Sequence, residues 1–188
     1  MRPDIQTACG HSLSLVRPDP DCITIQAVAH ALANTCRFGG HTSSFYSVAE
    51  HCVRVAASGY VPRWLQFDAL MHDAAEAFVG DIPTPLKHLL PEFRAIERRI
   101  EAAIEQKFGC YEMHHDLVKK ADLVLLATER RDLMPDTHYR WEAIAGIEPL
   151  ASPIRPMAPA AAREAFLRAF QKHAPLEILK MAEMEVAA

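Results

Sequence analysis

The sequence has no excess of positive charge, no paired-cysteine motif and no long apolar run, and each absence removes a class of protein. Across 188 residues the formal net charge is -4. A chain that grips a nucleic-acid backbone presents a basic footprint, so polymeric nucleic acid is not an expected partner. The five cysteines (Cys9, Cys22, Cys36, Cys52 and Cys110) are odd in number and scattered, with no Cys-x-x-Cys pair. That pattern argues against a disulfide framework or a zinc ribbon and for reduced thiols in the cytoplasm. No stretch approaches the roughly 18 apolar residues of a membrane span, and Met1 to Gly10 carries no apolar run of signal-peptide type. The expectation is a soluble, cytoplasmic chain with no membrane partner.

What is present is ordinary globular composition, 50% hydrophobic and 23% charged, at a length that suits one domain with one sizeable core. There are no repeats and no convincing linker. Residues 1–23, with Pro3, Gly10, Pro18 and Pro20, read as an irregular lead-in with one short strand pair. Beyond it the periodicity is helical throughout. Thr24 caps a helix to about Asn34, and Arg37-Phe38-Gly39-Gly40-His41 breaks it. Ser47-Val48-Ala49-Glu50 fits a reciprocal capping box for a helix whose stripe is Val48, Cys52 and Val55. A helix from Pro62 to about Val79 ends at Gly80, and Gly80 to Lys87 reads as a loop. Ile96, Ile100, Ile104 and Phe108 make a stripe that serves a core or an interface and stops at Gly109, on a structural helix with Glu97, Arg98, Arg99 and Glu101 outward. A further helix covers Asp116 to Leu133. The region 134–188 holds irregular chain, a helix over Ala160 to His173 and a short helical tail to Ala188. The fold class is therefore all-α, a single domain over 1–188.

Several polar residues sit awkwardly in that pattern. His51 lies at the edge of a core stripe. His72, Asp73 and Glu76 form a polar arc opposite Phe67, Leu70, Met71 and Ala74, which a solvated face explains by position but not by the choice of His beside Asp. Asp122 is ringed by Val118, Leu125 and Leu126. An unpaired buried carboxylate costs several kcal/mol, so Asp122 needs an arginine, several donors or a metal. Taken together, His51, His72, Asp73 and Asp122 offer two nitrogens and two oxygens from three helices. That donor set suits Mn, Co, Fe or Zn, and a bound ion acidifies water. Glu76, one turn from His72, is placed to hold or deprotonate such a water.

The ordered segments Cys36-Arg37-Phe38-Gly39-Gly40-His41, Phe45-Tyr46-Ser47-Val48-Ala49-Glu50-His51, His72-Asp73-Ala74-Ala75-Glu76, Gly80-Asp81-Ile82-Pro83-Thr84-Pro85-Leu86-Lys87 and Lys119-Lys120-Ala121-Asp122 resemble the HD-domain metal-dependent phosphohydrolases. The match is to the small 5'-deoxynucleotidase-like branch of bacterial and phage proteins, and it covers about residues 24–133. The resemblance implies a helical HD bundle with His51, His72, Asp73 and Asp122 as ligands of a divalent metal (Mn, Co, Fe, Zn or Mg). It implies that Glu76 activates water, that Asp81 orients substrate or phosphate, and that Arg37 binds phosphate beside an aromatic, here Phe38 where some relatives carry tryptophan. Lys87 would add positive potential and Thr84 a hydroxyl. His41, His114 and His115 are candidate extra ligands, read more simply as a turn histidine and a helix-start pair.

The implied reaction is hydrolysis of a deoxynucleoside 5'-monophosphate by a metal-activated water, in a homo-oligomer, a dimer or larger. A triphosphohydrolase taking deoxynucleoside triphosphates uses the same ligands and is the rival. Two other HD branches fit less well: Glu76 is followed by Ala77 rather than Asp, and Gly59-Tyr60-Val61 stands upstream of the His-Asp pair. A non-catalytic nucleotide sensor would be expected to lack one of these groups, and all are present.

Overall fold

Helix ends fall largely where caps and breakers put them. The structure is a computed structural model and describes residues 3–187. Helix α1 spans Ile25–Asn34, and Thr24 Oγ1 accepts a hydrogen bond from the Ala27 N–H at 3.2 Å, a cap worth about 1 kcal/mol. Helix α2 spans Val48–Ala56, with Ser47 Oγ accepting from the Glu50 N–H at 3.2 Å. The expected reciprocal half of that capping box is absent. Glu50 is fully buried, and its carboxylate accepts instead from Arg54 at 2.7 and 2.9 Å and from the Met157 N–H at 2.7 Å. A buried carboxylate needs a cation more than a free amide needs a cap.

The helix expected over Pro62 to Val79 is in pieces: a 3-10 turn at Arg63–Leu65, α3 at Gln66–Met71 and α4 at Glu76–Val79. Between α3 and α4 the backbone tightens. Ala74 N–H bonds to Met71 O at 2.9 Å and Glu76 N–H to Asp73 O at 3.0 Å, each spanning three residues rather than four. Such tightening within a helix often marks a functional stretch, and here it carries His72 and Asp73. Gly80, at φ 79° and ψ 159°, stops α4 in a conformation essentially reserved for glycine. The following stretch, expected as loop, contains the short α5 at Thr84–Lys87.

Helix α6 covers Pro91–Phe108 and closes on left-handed Gly109. Its stripe of Ile100, Ile104 and Phe108 is buried and belongs to the core. Helix α7 covers Asp116–Leu133, with His115 Nδ1 accepting from the Leu117 N–H at 3.1 Å. After an irregular stretch come α8 at Pro159–His173 and α9 at Leu176–Ala187. In the lead-in, β1 (Asp4–Gln6) pairs antiparallel with β2 (Ser12–Ser14), Ile5 opposite Leu13. Met1, Arg2 and Ala188, which fall in the expected lead-in and tail, lie outside the described residues.

One apolar cluster draws on residues from Leu13 to Ala182. Helix α8 lies against α1, α2 and α3. It inserts Phe166 and Phe170, and Phe170 meets Phe67 and Phe108 edge-on at 5.7 and 6.1 Å. Burying each such ring contributes about 1.5–3 kcal/mol. Helix α2 also packs against α7. The fold is all-α, and α2 packs against both α8 and α7. Among the described residues no helix is long and apolar enough to cross a membrane.

Candidate metal centre

The packing of α2 against α7 and the α3–α4 turn brings His51, His72, Asp73 and Asp122 together. A ring nitrogen of His51, one of His72 and a carboxylate oxygen of Asp122 lie within 4.8 Å of one another. Asp73 Oδ2 stands 3.3 Å from His72 Nε2 and 3.6 Å from His51 Nε2, and Asp122 Oδ1 is 3.1 Å from His51 Nε2.

The hydrogen bonds on the far side of each ring give these distances their meaning. His51 Nδ1 is 2.6 Å from Glu129 Oε1, and His72 Nδ1 is 2.8 Å from the Ala69 carbonyl. Both Nδ1 atoms therefore carry the proton and donate. In the neutral rings both Nε2 atoms are lone pairs, buried and without a hydrogen-bond partner. Two imidazole lone pairs thus converge with two carboxylates, four acceptors and no donor among them. Only a cation or added protons relieve that repulsion.

The charges around these groups make the same demand for positive charge. Burial and Arg37 pull the His51 imidazole down, but Glu129 and Asp122 outweigh them and leave it raised. Burial likewise opposes charge on His72, and Asp73 overcomes it, so His72 is held well above the usual range. Burial alone would raise Asp73; the charges of His72, His51 and Arg37 hold it far below the usual carboxylate range. The residues present fit a divalent cation held by two nitrogens and two oxygens.

Glu129 is the component that sequence reasoning missed. It lies on α7 two turns beyond Asp122, on the same face, and is fully buried. Its Oε2 accepts from Arg37 Nε at 3.2 Å and lies 3.2 Å from Arg37 Nη2, while Oε1 takes the His51 bond. Burial would raise the Glu129 carboxyl, and Arg37 and His51 bring it below its ordinary value. The available signal was its seven-residue spacing from Asp122, hidden in a charged Thr128-Glu129-Arg130-Arg131 helix end. Asp122 itself is less enclosed than its apolar neighbours implied, with its side chain 34% exposed.

Beyond Asp73 and Asp122 the site opens into a cavity of about 320 Å³, lined also by His72, Glu76, Lys87, Glu97, Glu101, His114 and Lys119. The polar arc of the α3–α4 segment therefore faces this basin instead of bulk solvent. Lys87 bridges Glu97 at 2.7 Å and Glu76 Oε1 at 3.3 Å, leaving Glu76 Oε2 buried and unpartnered. Burial, with the charges of Asp73 and Asp81, pushes Glu76 well above its ordinary pKa. Asp81 is half-buried, raised by burial, and near enough for its charge to act on Arg37 and Asp73. Glu97 and Glu101, expected outward on a structural helix, turn to the basin, and His114 pairs with Glu101 at 3.6 Å. Thr84 is exposed and does not line the basin, so the structure does not bring it to the site. His41 is exposed too.

Next to Arg37, Phe38 adopts φ 54° and ψ 29°, a left-handed conformation uncommon outside glycine. The Arg37 guanidinium lies 5.3 Å from its ring centre, and the Trp141 ring lies 5.8 Å from it at a tilt of 46°. Trp141 in turn stacks under Arg130 at 5.3 Å. It comes from the irregular stretch after α7, where no periodicity could have flagged it.

The sequence pattern of the YfbR-like family, described as 5'-deoxynucleotidase YfbR-like, matches residues 61–132. The uncharacterized protein YfdR of Escherichia coli is 43% identical over 167 residues, covering 88% of this chain and 93% of that one. A Rhodobacter capsulatus protein, RCAP_rcc00048, is 38% identical over 109 residues, 53% of this chain and 55% of its own length. The 5'-deoxynucleotidase VV1113 of Vibrio vulnificus is 37% identical over 87 residues, which is 45% of this chain and 36% of that relative. The chain belongs to the YfbR-like family of HD-domain proteins.

Proposed function

We propose that the protein is a metal-dependent nucleotide phosphohydrolase that converts deoxynucleoside 5'-monophosphates to nucleoside and inorganic phosphate. The observation that carries this reading is the convergence of two unpartnered imidazole nitrogens and two carboxylates beside a buried arginine. Relatives named 5'-deoxynucleotidase support the substrate class. In this reading His51, His72, Asp73 and Asp122 hold the ion. When bound, the ion polarises phosphate oxygens and lowers the pKa of water.

The chain's own residues do the rest. An acidic basin repels a phosphate ester, so anion binding depends on the ion together with Arg37 and Lys87. Arg37 keeps Nε and one terminal nitrogen on Glu129, and its other terminal nitrogen, 3.6 Å from Asp73, is the one turned toward the centre. A planar guanidinium fork suits phosphate oxygens. Asp81 orients the phosphate through its charge on Arg37 and Asp73. Glu76 accepts the water proton at its free Oε2, a role suited to a buried carboxylate whose affinity for a proton is raised above the ordinary. The oxygen of water bonds to phosphorus, the bond to the 5'-oxygen breaks, and the proton taken by Glu76 returns to the departing 5'-oxygen. Phe38 and Trp141 supply an aromatic wall for the nucleoside.

The test incubates purified protein with each deoxynucleoside and ribonucleoside 5'-monophosphate and each deoxynucleoside triphosphate, with Mn, Co or Mg. Free phosphate from the deoxynucleoside monophosphates is expected. Release of intact triphosphate would transfer the assignment to a triphosphohydrolase, and no release with any metal would overturn catalysis.

A further inference from the structure

We propose that Glu129 is a positioning residue that holds the metal ligand His51 and the phosphate-binding Arg37 in register with each other. The inference rests on the proposed roles of those two residues and adds a third that touches neither metal nor substrate. Three observations carry it. Glu129 is fully buried, so its charge is matched by specific partners and not by water. Its two oxygens are divided, Oε1 to His51 at 2.6 Å and Oε2 to Arg37 at 3.2 Å. Each bond fixes an orientation: protonated Nδ1 leaves His51 Nε2 facing Asp122, and a guanidinium anchored along one edge leaves its remaining nitrogen facing Asp73. One carboxylate thus aligns the cation site with the anion site. Carboxylates behind metal-binding histidines typically change metal affinity by about 10–100-fold. Here the same loss should extend to the anion.

The experiment titrates metal-stripped protein with MnCl2, then titrates the Mn-loaded protein with inorganic phosphate, both by calorimetry. Glu129→Gln offers one acceptor where two partners need one each. It is expected to weaken Mn binding about tenfold or more and phosphate binding by a similar factor. Arg37→Gln should weaken phosphate binding while leaving Mn affinity within about threefold, since it removes no support from His51. Wild-type affinity for either probe in Glu129→Gln overturns the proposal, as does an Arg37→Gln variant that loses Mn as severely. If Glu129→Gln fails to fold, the double variant Arg37→Met with Glu129→Met removes the ion pair without stranding a buried charge. It should melt cooperatively and still bind Mn about tenfold more weakly, and wild-type Mn affinity there also overturns the proposal. Failure of the wild-type protein to bind Mn at all would instead count against the metal centre itself.

Discussion

The site has two walls built from similar charges. The inner wall is Arg37, Glu129 and His51, with Glu129 and His51 fully buried and every bond running between fixed helices and a pinned turn. The outer wall is Lys87 with Glu76 and Glu97, and His114 with Glu101, set around an open basin with side-chain exposures of 19% at Lys87 and 66% at His114. Buried pairs feel a low dielectric and have no water to exchange with, whereas an exposed pair such as His114 with Glu101 is worth about 1 kcal/mol or less, and Lys87 stands between these limits at the basin's edge. The inner wall can therefore set geometry. In the proposed reaction the outer wall releases its partners when an anion arrives, Lys87 leaving Glu76 to meet phosphate.

The sharpest way to break this contrast removes Asp122, a proposed metal ligand that reaches His51 on the inner wall and also lines the basin. Asp122→Ala should lose Mn binding by calorimetry and lower kcat/KM by about 1,000-fold or more, the scale of metal-dependent water activation. Retention of metal at full occupancy would count against Asp122 as a ligand. An outer-wall change should do less. Lys87→Met is expected to raise KM about tenfold, the scale of one partly exposed charge contact, with Mn affinity held. If it strips the metal as Asp122→Ala does, the two walls are one unit and the contrast fails.

The smallest effect concerns pH. Because His51 and His72 are raised above 6.5, metal-stripped folded protein keeps protons that the unfolded chain has released. Their stabilisation is complete below about 6.5 and is lost as pH rises through the folded pKa values. The Tm of metal-stripped protein should accordingly fall as pH increases from about 6.5, and saturating Mn, which binds the unprotonated rings, should reverse the slope. A Tm that rises with pH in the stripped protein would mean that the inner histidines are neutral in the folded state.

How much of this was legible in the sequence divides along physical lines. Helices α6 and α7 were readable because Gly109 and the apolar periodicities act locally. His51 and Asp122 stood out because a His or Asp beside a core stripe conflicts with its neighbours, and His72-Asp73 only through the choice of His beside Asp. The polar arc of His72, Asp73 and Glu76 did not reveal which way it faced, since helical periodicity separates polar from apolar but not solvent from an enclosed basin. The same blindness put Glu97 and Glu101 outside. Glu129 was hidden because a carboxylate among arginines at a helix end looks solvated until a buried arginine from 92 residues away in sequence is found against it. Trp141 lies in irregular chain, where packing alone decides position.

The turn that carries Arg37 and Phe38 is tied at both ends. Arg37 N–H bonds to Tyr46 O at 2.9 Å, Val48 N–H to Thr35 O at 3.0 Å, and Ser43 N–H to Leu133 O at 2.8 Å. Phe38 is held in a backbone state that costs about 1–3 kcal/mol for such a residue. Both the strain and the ordering of the loop are settled when the chain folds. A phosphate ester bound as proposed then meets a preorganised surface, and its binding energy is not spent on arranging Arg37.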